Sequence, residues 1–158
     1  MSTPQNVHAG SPLDEIDETI VELLRADGRM SVPALAERAG IGRATAYARF
    51  DRLVDDGVIT GFEARVQPED LGLSVSALIT IEAEQVAWAD LRDRVIALPN
   101  VHWVGLTAGA SDFVVLVRAR DLDELRDVVL RDLLSVPGIR NTQTSVLLEE
   151  TRPAGSLI

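Results

Sequence analysis

The chain has 158 residues, of which 46% are hydrophobic and 25% are charged, and its formal net charge is −10 at pH 7. It contains no cysteine and no lysine, which excludes disulfides, thiol catalysis and Schiff-base lysines. Because no spacing of His with acids matches a metal site, we expect neither a metal nor a cofactor. The first eleven residues are polar and the apolar runs are short, so we expect a soluble, cytoplasmic protein without a secretory signal or a membrane span. The acidic charge argues against indiscriminate coating of nucleic acid, so any DNA-binding face must be local.

The first third of the chain predicts three short helices. The sequence Ser11-Pro12-Leu13-Asp14 has the signals of a helix start, with Ser11 as the cap and Pro12 at the first helical position. Apolar residues then recur at helical spacing until Asp27-Gly28 ends the helix. A second helix is predicted to begin at Ser31 and to end at Gly40.

The third helix, predicted from about Arg43 to Asp56 and closed by Gly57, has two contrasting sides. One side is apolar and must face the other helices; it consists of Ala46, Phe50, Leu53 and Val54. The opposite side begins with small residues and ends with arginines, so its first turns can enter a DNA major groove. The arginines would hold phosphates, while residues near the helix start would touch base edges. The predicted DNA-contact residues are Arg43, Ala44, Thr45, Ala48, Arg49 and Arg52.

An alternative interpretation of the same helices is purely structural. Three small helices can simply pack together without binding DNA, with Arg49 or Arg52 paired to an acid on the same helix. The candidate acids are Asp51, Asp55 and Asp56.

The second half of the chain predicts a twice-repeated strand–helix–strand unit. Strands are predicted over Leu73–Ala83, Val101–Thr107, Phe113–Ala119 and Ile139–Leu148. Helical spacing is seen for Trp88, Leu91, Val95 and Leu98, and again for Leu122, Leu125, Val129 and Leu133. Together these elements predict an α+β protein whose C-terminal part is a ferredoxin-like βαββαβ domain.

The resulting domain organisation has five parts. They are a tail over residues 1–11, a helix-turn-helix domain over 12–57, an extended linker or hairpin strand over 58–72, the ferredoxin-like domain over 73–150 and a C-terminal tail over 151–158. Both helices of a ferredoxin-like domain cover one face of its sheet, yet residues 113–117 are apolar on both sides of their strand. We therefore expect a second copy of the chain to cover the other face, and a homodimer would also pair two DNA-reading helices on a palindromic site.

The order and spacing of these motifs over residues 13–150 resemble the Lrp/AsnC (leucine-responsive/asparagine-regulator, feast/famine) family of transcriptional regulators. The motifs that carry the resemblance include Leu13-Asp14 with Asp17, Asp27-Gly28-Arg29, Gly57-Val58-Ile59, Gly109 with Asp112-Phe113, and Pro137-Gly138-Ile139. The resemblance implies a DNA-binding winged helix-turn-helix, a dimerising ferredoxin-like domain, assembly of dimers up to octamers, and a small effector, commonly an amino acid. It further implies an effector pocket between subunits, near the Gly-x-x-Asp turn and the last strand. Transferred to this chain, that pocket comprises Leu106, Thr107, Gly109, Ser111, Asp112, Thr142 and Thr144.

The effector residues also have plain structural interpretations. Gly109 can serve a turn, Asp112 can cap a loop, and alternating threonines suit a strand. Two positions depart from the family pattern. Gly42 stands where many members have a capping Ser or Thr. Ser111 stands where many members have an aromatic residue that forms one wall of the effector pocket, and only His102 and Trp103 could replace that wall.

Two rival functions remain at this stage. The first is an enzyme similar to haem-pathway decarboxylases, which share this fold; only His102 could supply a pocket histidine. The second is an architectural DNA binder without an effector, which the net charge of −10 disfavours. The expected function is therefore a sequence-specific, effector-responsive transcriptional regulator rather than an enzyme.

Overall fold

The computed structural model describes residues 12–84 and 87–151, which divide into two compact units. Within these ranges the first unit covers residues 12–65 and the second covers residues 66–151. The predicted linker is shared, with residues 58–65 in the first unit and 66–72 in the second. No helix in the described ranges has both the length and the apolar character needed to cross a bilayer.

The first unit contains the three predicted helices: α1 (Glu15–Ala26), α2 (Val32–Arg38) and α3 (Arg43–Asp55). Their buried apolar side chains meet in one small core made of Ile20, Leu24, Leu35 and Leu53. Gly40 and Gly57 follow α2 and α3 with φ of 66° and 70°, the left-handed conformation in which glycine is least strained. The predicted helix ends are therefore confirmed.

The start of α1 differs from the prediction. Its N-cap is Asp14 rather than Ser11, which lies outside the described residues. The Asp14 carboxylate accepts hydrogen bonds from the backbone N–H groups of Ile16 (3.0 Å) and Asp17 (2.9 Å). The Asp17 carboxylate in turn accepts from the backbone N–H of Asp14 (3.3 Å), which completes a capping box. Both starts have an acid three residues later, Asp14 after Ser11 and Asp17 after Asp14, so the sequence alone does not choose between them.

The other two caps match the sequence. Ser31 caps α2 by accepting a hydrogen bond from the backbone N–H of Ala34 (3.4 Å). Gly42 caps α3 without a side-chain hydrogen bond, and the helix still forms.

Residues 58–67 do not form the predicted hairpin strand within the protomer. Strand structure needs a neighbouring strand to complete its ladder of hydrogen bonds, and the first unit supplies none for these residues. The segment is instead fixed locally. The backbone N–H of Ile59 donates to the Leu53 carbonyl (2.9 Å), and Phe62 stacks on Phe50 with ring centroids 6.3 Å apart. A short 3₁₀ turn, Pro68–Leu71, begins the second unit.

The second unit is the predicted ferredoxin-like domain. Its elements are β1 (Val75–Ala83), α4 (Trp88–Ile96), β2 (Val101–Leu106), β3 (Phe113–Ala119), α5 (Leu122–Asp127) and β4 (Ile139–Val146). All strand pairs are antiparallel, and the sheet order is β2-β3-β1-β4. Side chains from the two helices and one face of the sheet form the core, with Leu91, Val95, Ile79, Val115 and Val117 fully buried.

The helix after β3 is less regular than its spacing predicted. α5 ends at Asp127 and continues as a π turn, Val128–Asp132, and a 3₁₀ turn, Leu133–Ser135. Leu125 and Leu133 are buried as expected, but Leu122 is 63% exposed at the first helical position. A π turn has more residues per turn than an α-helix, so it rotates the side chains that follow it about the helix axis. Beyond Leu125, apolar side chains such as Leu133 therefore face the core through a non-α conformation.

The sheet face without helices carries a row of apolar side chains. Leu78 and Trp103 both lie opposite Leu116 in the strand register, so the three share this face. The Trp103 indole lies over Gly105, where an added Cβ would come within 2.5 Å of the ring. Trp103 is 38% exposed in the single chain.

Candidate nucleic-acid interface and effector region

The outward side of α3 has the character that the sequence predicted. Ala44, Thr45 and Ala48 are exposed, and with Arg49, Arg52 and Asp14 they line a groove of about 560 Å³. Small side chains on its floor let another molecule approach the helix backbone closely. Arg43 at the first helical position is also exposed and pairs with no acid among the described residues.

The inward side of α3 is as predicted except at one position. Ala46 and Leu53 are fully buried, and Phe50 is half-buried against Phe62. Val54 is 41% exposed, so its assignment to the inner side is wrong. The 100° step from Leu53 to Val54 turns its side chain to the edge of the three-helix core.

Arg49 and Arg52 form ion pairs with acids of α1 and its cap. Arg49 Nη1 lies 2.6 Å from Asp14 Oδ2 and 2.8 Å from Asp17 Oδ1, and Arg52 Nη2 lies 2.5 Å from Asp17 Oδ2. The structural alternative was thus correct that these arginines are paired. It was wrong about the partners, because Asp51, Asp55 and Asp56 are not involved. Sequence spacing cannot reveal pairs that are 32 to 35 residues apart.

The electrostatics of this cluster keep both acids ionised at neutral pH. Burial alone would raise the pKa of Asp17, which is 1% exposed, but hydrogen bonds from Arg52 and Arg49 outweigh it and the pKa lies below its ordinary value. The hydrogen bond from Arg49 also lowers the pKa of Asp14, and the same bond raises the pKa of Arg49. Two carboxylates and two guanidiniums therefore leave the cluster formally neutral.

Sequence reasoning missed Tyr47 as a residue of the exposed surface of α3. Its side chain is 48% exposed, and its hydroxyl has no hydrogen-bond partner in the described part of the chain. A helical projection places Tyr47 at the boundary between the two sides of α3, where an aromatic residue is easily assigned to the core.

The β2–β3 turn brings five of the predicted effector residues together: Leu106, Thr107, Gly109, Ser111 and Asp112. Leu106 ends β2, and the Thr107 backbone N–H donates to the Asp112 carbonyl (2.8 Å). The Thr107 hydroxyl donates to the Ser111 carbonyl (2.5 Å). One Asp112 carboxylate oxygen accepts a hydrogen bond from the backbone N–H of Ala83 (2.7 Å), so Asp112 does cap a loop end, as the structural alternative predicted.

Gly109 lies in the same turn but is not required there by its backbone conformation. Its φ lies outside the positive region, and an added Cβ would meet nothing within 4 Å. The protomer alone therefore gives no reason for glycine at this position.

The two threonines lie on a different strand from the turn. Thr142 and Thr144 lie opposite Ile81 and Ile79, so β1 separates them from Asp112, whose N–H donates to the Ile81 carbonyl. Two strand spacings amount to about 10 Å. A small ligand that contacted both Asp112 and the threonines would therefore also need contacts with groups between them.

His102 and Trp103 do not rebuild an aromatic wall at the turn. His102 lies near the start of β2, about 13 Å along the strand from Leu106, and the Trp103 ring packs over Gly105. Burial and the nearby Arg118 charge lower the pKa of His102.

Comparison with known proteins agrees with both halves of this geometry. The Lrp/AsnC ligand binding domain profile matches residues 76–157, and a winged helix-turn-helix DNA-binding profile matches residues 13–60. The chain belongs to the Lrp/AsnC family. An HTH-type transcriptional regulator of Pyrococcus abyssi is 38% identical over 85% of this chain and 85% of its own length. The regulator AldR of Mycobacterium tuberculosis is 37% identical over 92% of this chain and 83% of its own.

Solved Lrp/AsnC structures have the same architecture. The regulator NMB0573 of Neisseria meningitidis, crystallised with L-methionine, superposes with a TM-score of 0.82, covering 92% of this chain and 96% of that one at 27% identity. The helix-turn-helix and ferredoxin-like expectations are thereby confirmed, and this Lrp/AsnC protein is a DNA-binding transcriptional regulator. Its relatives are named as regulators, which agrees with a non-enzymatic role.

Proposed function

We propose that a homodimer of this Lrp/AsnC protein reads a palindromic duplex with its two α3 helices. A small effector, an amino acid or a related metabolite, binds between subunits at the β2–β3 turn and changes the affinity for DNA. The observation that carries the DNA half is the exposed side of α3, where Ala44, Thr45 and Ala48 leave room for base edges and Arg43 is unpaired among the described residues. Higher assemblies of dimers, up to octamers, are part of this proposal.

Support for the dimer comes from the sheet face without helices. Leu78, Leu116 and Trp103 form an apolar row there, and the described helices of the second unit lie on the other face of the sheet. A second copy with the same row is self-complementary across a two-fold axis. Two α3 helices related by that axis suit two half-sites of a palindrome.

Support for an effector at the turn comes from Gly109 and Asp112. An open position beside Gly109 lets a ligand approach the backbone, and Asp112 is an acid that can receive an α-ammonium group. The neisserial neighbour was crystallised with L-methionine, so amino acids are the first probes to use.

The DNA half is tested by selecting duplexes from a random-sequence pool with the wild-type protein. Arg43→Ala, Arg49→Ala and Arg52→Ala are expected to weaken binding to the selected duplex and to reduce the salt slope by about 0.9 for each phosphate that the variant no longer neutralises. Arg131→Ala, an exposed arginine of the second unit, is the charge-matched control. Footprints at one or a few palindromic sites support a regulator, whereas broad protection supports an architectural protein. Salt slopes identical to the control for all three α3 variants overturn the proposal.

The effector half is tested by a thermal-shift screen of the wild-type protein against the twenty common amino acids. A ligand that binds the native state raises the apparent stability, and the shift grows with ligand concentration. A positive amino acid should also change the affinity for the selected duplex. No shift with any amino acid at concentrations up to about 10 mM would overturn the amino-acid assignment.

A further inference from the structure

Asp14 borders the α3 groove although it belongs to the start of α1. Its side chain is 53% exposed, and both of its carboxylate oxygens lie close to Arg49 Nη1, at 2.7 and 2.6 Å. It lines the groove together with Ala44, Thr45 and Ala48, the residues of the proposed DNA-facing surface. An anion already occupies the place on Arg49 where a DNA phosphate would bind.

Asp14 has a second role that does not need its negative charge. As the N-cap of α1 it accepts hydrogen bonds from the backbone N–H groups of Ile16 and Asp17. A neutral Asn or Ser side chain caps a helix about as well as Asp. The cap therefore explains a short polar residue at this position but not the carboxylate.

Asp17 binds both arginines of the cluster independently of Asp14. Its buried carboxylate holds Arg49 by Oδ1 (2.8 Å) and Arg52 by Oδ2 (2.5 Å), which joins α1 to α3. The guanidinium of Arg49 thus stays in place when the Asp14 charge is removed, because Asp17 still binds it. Only the charge of the cluster would change, from formally neutral to one net positive charge.

We propose that Asp14 is a specificity-determining residue that competes with DNA phosphate for Arg49. This inference rests on the proposed contact between α3 and DNA. A duplex must displace the Asp14 carboxylate from Arg49 before a phosphate can take its place. Non-cognate DNA offers only backbone charge in return, whereas a cognate site adds base-edge contacts along α3. The competition therefore weakens non-cognate binding more than cognate binding.

The test compares Asp14→Asn with Glu18→Gln. Both remove one negative charge from the same helix, but Glu18 is exposed and makes no ion pair with either arginine. The probe is a random-sequence duplex of about 30 bp, titrated between about 50 and 200 mM salt, beside the duplex selected by the wild-type protein. Asp14→Asn is expected to bind the random duplex on the order of tenfold more tightly at 50 mM salt, with a salt slope steeper by about 0.9 per α3 engaged. Glu18→Gln should change the affinity less than about twofold.

The outcomes separate this inference from the proposed function. If Arg43→Ala weakens binding but Asp14→Asn matches Glu18→Gln on both duplexes, the competition is refuted while the α3 contact stands. If Arg43→Ala, Arg49→Ala and Arg52→Ala all match the Arg131→Ala control, the α3 contact itself fails. An equal gain on the random and the selected duplex would show that Asp14 sets affinity without specificity, which also overturns the proposal. Thermal melts control for folding, and Asp14→Ser, a second neutral cap, replaces Asp14→Asn if that variant unfolds.

Discussion

The α3 groove and the β2–β3 turn both use an aspartate as an acceptor, yet only the groove is complete in one chain. In the groove, Asp17 is buried and binds two arginines, so each charge of this cluster has its partner within the first unit. At the turn, Asp112 binds one backbone N–H, and the predicted partners Thr142 and Thr144 lie beyond β1. A surface that reads DNA must be preformed on each protomer. In the proposed function, the effector site at the turn is completed only between subunits, so its ligand can favour one arrangement of subunits over another.

Among the variants, Asp17→Ala is expected to have the largest effect on the stability of the first unit. This change leaves Arg49 and Arg52 without the acid that joins α3 to α1. We expect a loss of about 2 to 3 kcal/mol in the free energy of unfolding, less than for a fully buried pair because both arginines reach solvent. Urea denaturation measures the loss, with Glu18→Ala as the control on the exposed side of α1. A loss equal to that of the control would mean that the cluster does not hold the helices together.

Gly105→Val tests whether the apolar sheet face is the dimer surface. The added Cβ would lie within 2.5 Å of the Trp103 ring and must displace it from the face. Such overpacking costs about 1 to 3 kcal/mol, which we expect to appear as a weaker homodimer in sedimentation velocity. Ala97→Val, at the exposed end of α4 on the helix side of the sheet, is the control. An unchanged association constant for Gly105→Val would place the dimer surface elsewhere.

Acid should weaken the ion-paired cluster formed by Asp14, Asp17, Arg49 and Arg52. The pKa values of Asp14 and Asp17 are lowered in the folded protein, because the hydrogen bonds from the arginines favour the ionised carboxylates. Their contribution to stability is therefore present above the unfolded pKa, near about 4, and is lost as the pH falls through the folded pKa values. Hydrogen exchange of α1 amides between about pH 5 and pH 3 should show the loss, and Asp17→Asn should remove most of this pH dependence. An identical pH profile for that variant would contradict the assignment.

The smallest structural effect is expected for Asp112→Asn. The amide oxygen can still accept the hydrogen bond from Ala83, so we expect a change of less than about 1 kcal/mol in stability and little change in DNA binding. The response to an amino-acid effector should disappear, because the negative charge for an α-ammonium group is gone. Calorimetric titration with an amino acid found by thermal shift measures this. An unchanged dissociation constant would show that the pocket is misplaced.

Much of the fold could be predicted because its signals are local. The spacing of Leu91 and Val95, the alternation along β1 and the stop at Gly40 each depend on neighbours a few residues away. The start of α1 was misplaced because Ser11 and Asp14 are both good caps, and only the reciprocal bond with Asp17 distinguishes them.

The candidate DNA surface was predicted in its position but not in its electrostatics. Helical periodicity alone placed Thr45 and Ala48 on the outer side of α3. It could not show that Arg49 is already paired, since Asp14 lies 35 residues earlier in the chain. Tyr47 was missed because exposure at a helix edge depends on what packs beside it.

The sequence by itself determined the elements, their order and the outward side of the recognition helix, because these depend on local periodicity and turn chemistry. Only the tertiary structure decided which charges neutralise one another and how far Thr142 lies from Asp112. Such facts depend on contacts between residues distant in the chain, and a sequence pattern carries no distance between them until the chain has folded.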